Sequence, residues 1–137
     1  MSQQRASGSF QVKLSPLAPG DAVEQASGIG RMSLDKVFGG DLEAQSKGVM
    51  IAFRTPVQGS AGYTALEQVS GTLAGRAGSF VLQHNGLMDR GAPTLLVQVV
   101  PDSGTDALQG LRGTMQIDIT EGQHFYTFDY TLDEQAD

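Results

Sequence analysis

Glu67 and His84 are the residues of this sequence whose types and spacing point most directly to chemistry. They lie in two strand-like stretches, GYTALEQVSGTL and GSFVLQHNGLM, joined by the glycine-rich AGRAG. Counting alternate residues puts Tyr63, Ala65, Glu67, Val69, Gly71 and Leu73 on the more apolar face of the first stretch, and Phe80, Leu82, His84 and Gly86 together on one face of the second. Folding a hairpin at AGRAG, with Leu73 or Gly71 opposite Phe80, turns both residues inward, directly opposite or one diagonal step apart. Cross-strand neighbours of that kind lie within about 4.5 to 8 Å at Cβ, close enough for a carboxylate–imidazole hydrogen bond. An isolated carboxylate inside a barrel is costly, and a histidine supplies the partner it needs. Such a pair stabilises an interior, orients a ligand in a cavity, or works as general acid and base. The residues alone leave all three roles open.

Further polar and aromatic residues compete for a place at that site. Lys36 shares parity with Met32, Leu34 and Phe38, so it is a second inward partner for Glu67 or, as a long side chain near a strand end, it snorkels outward. The snorkelling reading is the one preferred for Lys36. Tyr63, Tyr126 and Tyr130 are core aromatics whose hydroxyls seek a polar partner, or they line a pocket. Glu67, His84, Tyr63, Leu82, Lys36 and Tyr126 together form the candidate ligand-binding set. Arg54 closes a strand of ambiguous parity, and His124 opens another, where an exposed rim position is expected. No residue is singled out as catalytic.

The elements that carry these residues read as strands. Short runs rich in Val, Ile, Phe, Thr and Tyr recur about eight times, each bounded by Gly, Pro, Asp or Ser. Phe10, Val12 and Leu14 alternate with polar neighbours, as do Met115, Ile117 and Ile119, and Tyr126, Phe128 and Tyr130. Helical patterning is limited to about a turn at GDAVEQA and another at TDALQGL, too short to cross over a parallel sheet. The expected fold is therefore all-β, an eight-stranded antiparallel barrel, with a two-sheet sandwich as the alternative. Residues 1–137 form one domain, ordered over about 8–132, with frayed polar termini.

Composition narrows the function classes. The chain has 137 residues and no cysteine, so a disulfide framework, a thiolate metal site and a cysteine nucleophile are excluded. Nine basic against fifteen acidic residues give a formal net charge of −6 without a basic cluster, which disfavours nucleic acid. Two histidines without HxH or HExxH spacing make no case for a metal, and no cofactor motif appears. GRAGSF and SGTDALQGLRG lack the context of a phosphate loop, and no GxSxG elbow is present. Without a secretory leader or a membrane-spanning apolar run, the expectation is a cytoplasmic protein that does not engage membranes.

The succession FGGDLEAQSKGVM, YTALEQVSGTLAGRAGSFVLQHNG, VVPDSGTDALQGLRGTMQI and HFYTFDYTL resembles the bacterial domain-of-unknown-function family 3224 over nearly the whole chain, from about Gly8 to Leu132. The segment from Glu67 to Gly86 is the most specific part. That family is similar to the allene oxide cyclase barrel-like superfamily, which implies an eight-stranded antiparallel barrel and, by analogy, a homodimer. Allene oxide cyclases isomerise a fatty-acid epoxide inside an apolar barrel, but none of their catalytic motif maps onto this sequence. Glu67 and His84 occupy motif positions of the closer family, with no established role attached. Ala44 stands where a glycine is expected after GDLE, which leaves the bend of the third strand open. The leading expectation is a barrel that binds a small hydrophobic or amphipathic ligand. The alternatives are an isomerase or cyclase using Glu67 and His84 as acid and base, and a non-catalytic oligomeric module with a packed interior.

Overall fold

A computed structural model describes residues 3–132. Eight strands run in chain order: β1 (Gln4–Leu17), β2 (Gly30–Gly40), β3 (Leu42–Arg54), β4 (Ala61–Leu73), β5 (Arg76–Asp89), β6 (Ala92–Val99), β7 (Arg112–Thr120) and β8 (Gln123–Thr131). Each pairs antiparallel with the next, and β8 returns to β1, so the sheet closes into a barrel. Closure excludes the sandwich and removes the free edges that an open sheet would carry, except along part of the β6–β7 boundary, where two residue pairs are bridged. It also orders Gln4 to Ser7, expected to fray, because their backbone pairs with Tyr130 to Thr127 of β8. Residues 133–137, also expected to fray, lie outside the described part. A short α-helix, α1 (Ala22–Ser27), is capped by the Asp21 side chain, which accepts from the Glu24 amide at 2.9 Å, and a single 3-10 turn forms at Asp106–Leu108. Among the described residues, no helix is long and apolar enough to cross a membrane.

Three hairpins use two-residue turns with positive φ at both positions, Ala74–Gly75, Arg90–Gly91 and Glu121–Gly122. That geometry is a type I′ turn, whose twist matches the twist of the flanking strands. The first turn shortens the expected AGRAG connection, since β5 already begins at Arg76 opposite Leu73. Phe80 consequently faces Val69, Glu67 faces Leu82, and His84 faces Ala65. His84 is thus one diagonal step from Glu67, on the same inward face. A one-residue slip would have sent both outward.

The interior divides into two parts. One end is packed by Phe10, Phe38, Phe80, Tyr126, Phe128 and Tyr130, with Leu108 and Leu111 from the β6–β7 connection closing it from below. The other end lies among small residues. Following the pairing across β2 to β6, Gly30, Ala52, Tyr63, Gly86 and Leu95 form one row, and three of those five are Gly or Ala. A packed barrel interior needs bulk at each inward position, and this row does not supply it.

Glycine at 48 is what brings β3 and β4 together beside Glu67. A Cβ there would lie 2.2 Å from the Leu66 carbonyl oxygen and 2.7 Å from Glu67 Cα. Both are backbone atoms and cannot swing aside. Gly48→Val is therefore expected to lower the free energy of unfolding by about 1–3 kcal/mol in urea titrations, an overpacking cost at a backbone contact. A change within about 0.5 kcal/mol would contradict the close approach. At Ala44, the tight contact is relieved from across the ladder, because Gly71 opposite it has no Cβ to meet the alanine methyl.

Candidate functional site

Four adjacent strands each supply one polar side chain to a buried cluster: Lys36 from β2, Ser46 from β3, Glu67 from β4 and His84 from β5. None is more than 4% exposed. They come together because Lys36 pairs directly with Ser46, Ser46 faces Val69, and the path then steps diagonally to Glu67 and His84. Glu67 Oε1 accepts from the Ser46 hydroxyl at 2.8 Å, and Oε2 accepts from Lys36 Nζ at 2.7 Å. His84 Nε2 lies 2.5 Å from the same Oε2. With three partners on one carboxylate, the arrangement fits an ionised, acceptor-only Glu67 that accepts from His84 Nε2–H.

Burial is the largest single influence on the Glu67 carboxyl and pushes it upward. The His84 hydrogen bond and the charge and hydrogen bond of Lys36 together outweigh it, holding the group at about 2 against an ordinary 4.5. Lys36 does not snorkel. Its ammonium sits 4.7 Å from the Phe10 ring centroid and 5.7 Å from that of Phe38, so aromatic faces share in solvating it. With the Glu67 carboxylate buried 2.7 Å away, turning the ammonium out to water would leave that charge unpaired in the interior.

Towards the loosely filled end, His84 Nδ1 faces the Tyr63 hydroxyl at 3.5 Å, the outer limit of a hydrogen bond. Tyr63 holds that position because its ring lies over Gly86, where a Cβ would come within 2.2 Å of Cε1. Burial first, and then the Glu67 charge, push the Tyr63 hydroxyl above its ordinary value, so at neutral pH it is a neutral donor. Beyond Tyr63 opens a cavity of about 450 Å3, whose walls include Met50, Ala52, Gly86, Leu95 and Ile119. The polar cluster thus ends in a single hydroxyl at the floor of an apolar mouth.

Of the sequence candidates, Glu67, His84, Lys36 and Tyr63 form one connected chain. Leu82 is wholly buried opposite Glu67 and does not line the mouth. Tyr126 lies at the packed end, accepting from the Leu42 amide at 2.9 Å and donating to the Gly39 carbonyl at 3.0 Å. Arg54 is exposed and reaches the rim of the cavity. His124, expected exposed, is half-buried with its ring 5.1 Å from Phe10. Ser46 was not among the candidates, although Leu42, Ala44 and Ser46 alternate with Glu43, Gln45 and Lys47, a polar set that marks the opposite face as outward. Among the described residues, no three His, Asp or Glu side chains gather to hold a metal ion.

Residues 6–130 match the family described as protein of unknown function (DUF3224). The chain belongs to that family. A DUF3224 protein of unknown function from Shewanella oneidensis MR-1, known from a crystal structure, is 49% identical to it. The alignment covers 98% of this chain and 100% of the other, with a TM-score of 0.87. No curated protein matches the sequence. The DUF3224 chain thus shares its barrel with that relative.

Proposed function

We propose that this DUF3224 protein binds a small, largely apolar molecule bearing a hydrogen-bond acceptor, seated in the open mouth of the barrel with that acceptor on the Tyr63 hydroxyl. The observation that carries the reading is the directed line from Lys36 through Glu67 and His84 to Tyr63, which ends at the floor of the apolar cavity. A cavity of about 450 Å3 is within the usual size of small-molecule sites, and few but well-placed polar groups are typical of them. Glu67 and Lys36 hold His84 in place; because His84 Nδ1 lies 3.5 Å from the Tyr63 oxygen, the long contact yields and the Tyr63 O–H turns from Nδ1 to the ligand's acceptor, while neither Glu67 nor Lys36 touches the ligand.

A second reading, an isomerase or cyclase, draws on the same line of contacts. A carboxylate that orients an imidazole, which in turn faces a hydroxyl at a cavity, is an arrangement suited to moving a proton. In that case Tyr63, rather than Glu67 or His84, is the group that reaches the substrate.

The binding reading is tested with 6-propionyl-2-(dimethylamino)naphthalene, a neutral apolar fluorophore whose one carbonyl accepts a hydrogen bond. The wild type is expected to give a saturable blue shift of its emission. Ala52→Trp, which fills the mouth, is expected to weaken binding at least ~10-fold, the scale of about 1.4 kcal/mol. Tyr63→Phe removes one neutral hydrogen bond and is expected to weaken it about fivefold, equivalent to about 1 kcal/mol. A wild type that produces no saturable shift, or an Ala52→Trp variant that binds as the wild type does, sinks the proposal. Native mass spectrometry of freshly purified protein would identify any resident molecule.

A further inference from the structure

Neighbouring strands of this barrel are bridged over seven or more residue pairs, with one exception. Between β6 and β7 only Val97 with Met115 and Gln98 with Thr114 are paired. Continued in the same register, Leu96 would meet Gln116, Leu95 would meet Ile117, and Pro93 would meet Ile119, but the ladder stops before them. One cause is visible at this end: Pro93 has no N–H to donate to a ladder. At the other end, beyond the two pairs, the connection from β6 to β7 is fastened to β5, with the Thr105 amide donating to the Ser79 carbonyl at 2.9 Å and the Val81 amide donating to Ser103 Oγ at 3.0 Å.

The two lips of this open seam are also walls of the mouth cavity: Pro93, Thr94 and Leu95 on β6, and Ile119 on β7. Burial along β6 follows the same division. Residues Ala92 to Leu96 are all exposed, although Leu95 shares the inward parity of the buried Val97 and Val99. Leu95 and Ile119 leave 40% and 67% of their surface to solvent. Apolar lips on unpaired strand edges are a state that a covering partner relieves.

We infer that the β6–β7 seam is the side wall of the binding site, completed by the ligand itself: a flat or elongated apolar body lies in the slot between Leu95 and Ile117 or Ile119, with its acceptor atom on Tyr63. This rests on the mouth-cavity reading above and adds the shape of the ligand to its polarity. A slot between two strands admits a planar ring system or an extended chain edge-on and rejects a compact polar molecule such as a sugar. Of the lip residues that line the cavity, Thr94 alone carries a hydroxyl and none is charged; the charged residue lining the cavity, Arg54, stands at its rim on β3.

The test is to close the seam. Leu95→Cys with Ile117→Cys puts two thiols at facing positions in a chain that has no other cysteine. Their disulfide holds the Cα atoms within about 4.4–6.8 Å of each other. With the bridge verified by intact mass, the oxidised form is expected to bind the naphthalene ketone at least ~10-fold more weakly than the same protein in dithiothreitol. Equal binding in the two forms, with Ala52→Trp still abolishing it, overturns the seam and leaves the mouth cavity standing. Absence of binding in the wild type overturns both. Ile119→Arg needs no oxidation and alters an exposed lip outside the packed core; it is expected to produce a similar loss with an unchanged urea midpoint. Wild-type affinity in Ile119→Arg counts against the seam as directly as equal binding in the stapled protein.

Discussion

Glu67→Ala is expected to lower the free energy of unfolding by about 3–5 kcal/mol, measured by urea titration at neutral pH. The loss does not come from a missing attraction alone. Removing the carboxylate strands the Lys36 ammonium, 4% exposed, without its counter-charge, and leaves Ser46 and His84 Nε2 without their acceptor. The companion variant separates these causes. Replacing both charges, Lys36→Met with Glu67→Leu, is expected to cost less than the sum of the two single changes by about 1–3 kcal/mol, because neither charge is then left alone. Strict additivity, or a loss below about 1 kcal/mol in Glu67→Ala, would mean that water reaches the cluster and the pair is not what holds this part of the barrel.

The same carboxylate makes the barrel sensitive to acid in a defined window. Its folded-state value of about 2 lies below the ordinary 4.5, so between these limits the unfolded chain binds the proton more readily than the folded one. The stabilisation is complete above pH 4.5 and is lost as pH falls through about 2. A depression of this size corresponds to about 3 kcal/mol. Wild type and Glu67→Gln, compared by urea titration at several pH values, are expected to converge by that order across the window. A stability difference that stays constant from pH 5 to about pH 2 would show that Glu67 does not titrate in this way.

Lys36 illustrates how far parity in the sequence carries and where it stops. Its period-two match with Leu34 and Phe38 indicated the face, but the expectation of snorkelling assumes a strand end near Lys36; β2 instead runs on to Gly40, so Lys36 is mid-strand and paired on both sides, and Glu67 supplies its counter-charge inside. The diagonal step from Glu67 to His84 depends on the register between β4 and β5, which the two-residue turn at Ala74–Gly75 sets. Ser46 shows the reverse case. Its alternation with Gln45 and Lys47 was legible, but a small hydroxyl residue carries no chemical signal until a carboxylate lies 2.8 Å away.

What the sequence by itself determined is local: eight alternating runs with glycine turns and too little helix for a parallel sheet, hence an antiparallel all-β fold whose closure into a barrel was decided over the sandwich by the structure, and an inward Glu67 and His84 on neighbouring strands. Period-two patterning and turn chemistry act over a few residues, so they can be read without coordinates. What only the tertiary structure decided is non-local. The row of Gly30, Ala52 and Gly86 leaves a mouth beside Tyr63 because closure of the barrel brings five strands' small residues and large ones to one level. The β6–β7 seam stays open towards the mouth because Pro93 cannot donate to a ladder whose partners on β7 are far from it in sequence. Neither the volume left inside nor the rungs left unmade belongs to any single segment; both follow from how all the strands share one closed ring.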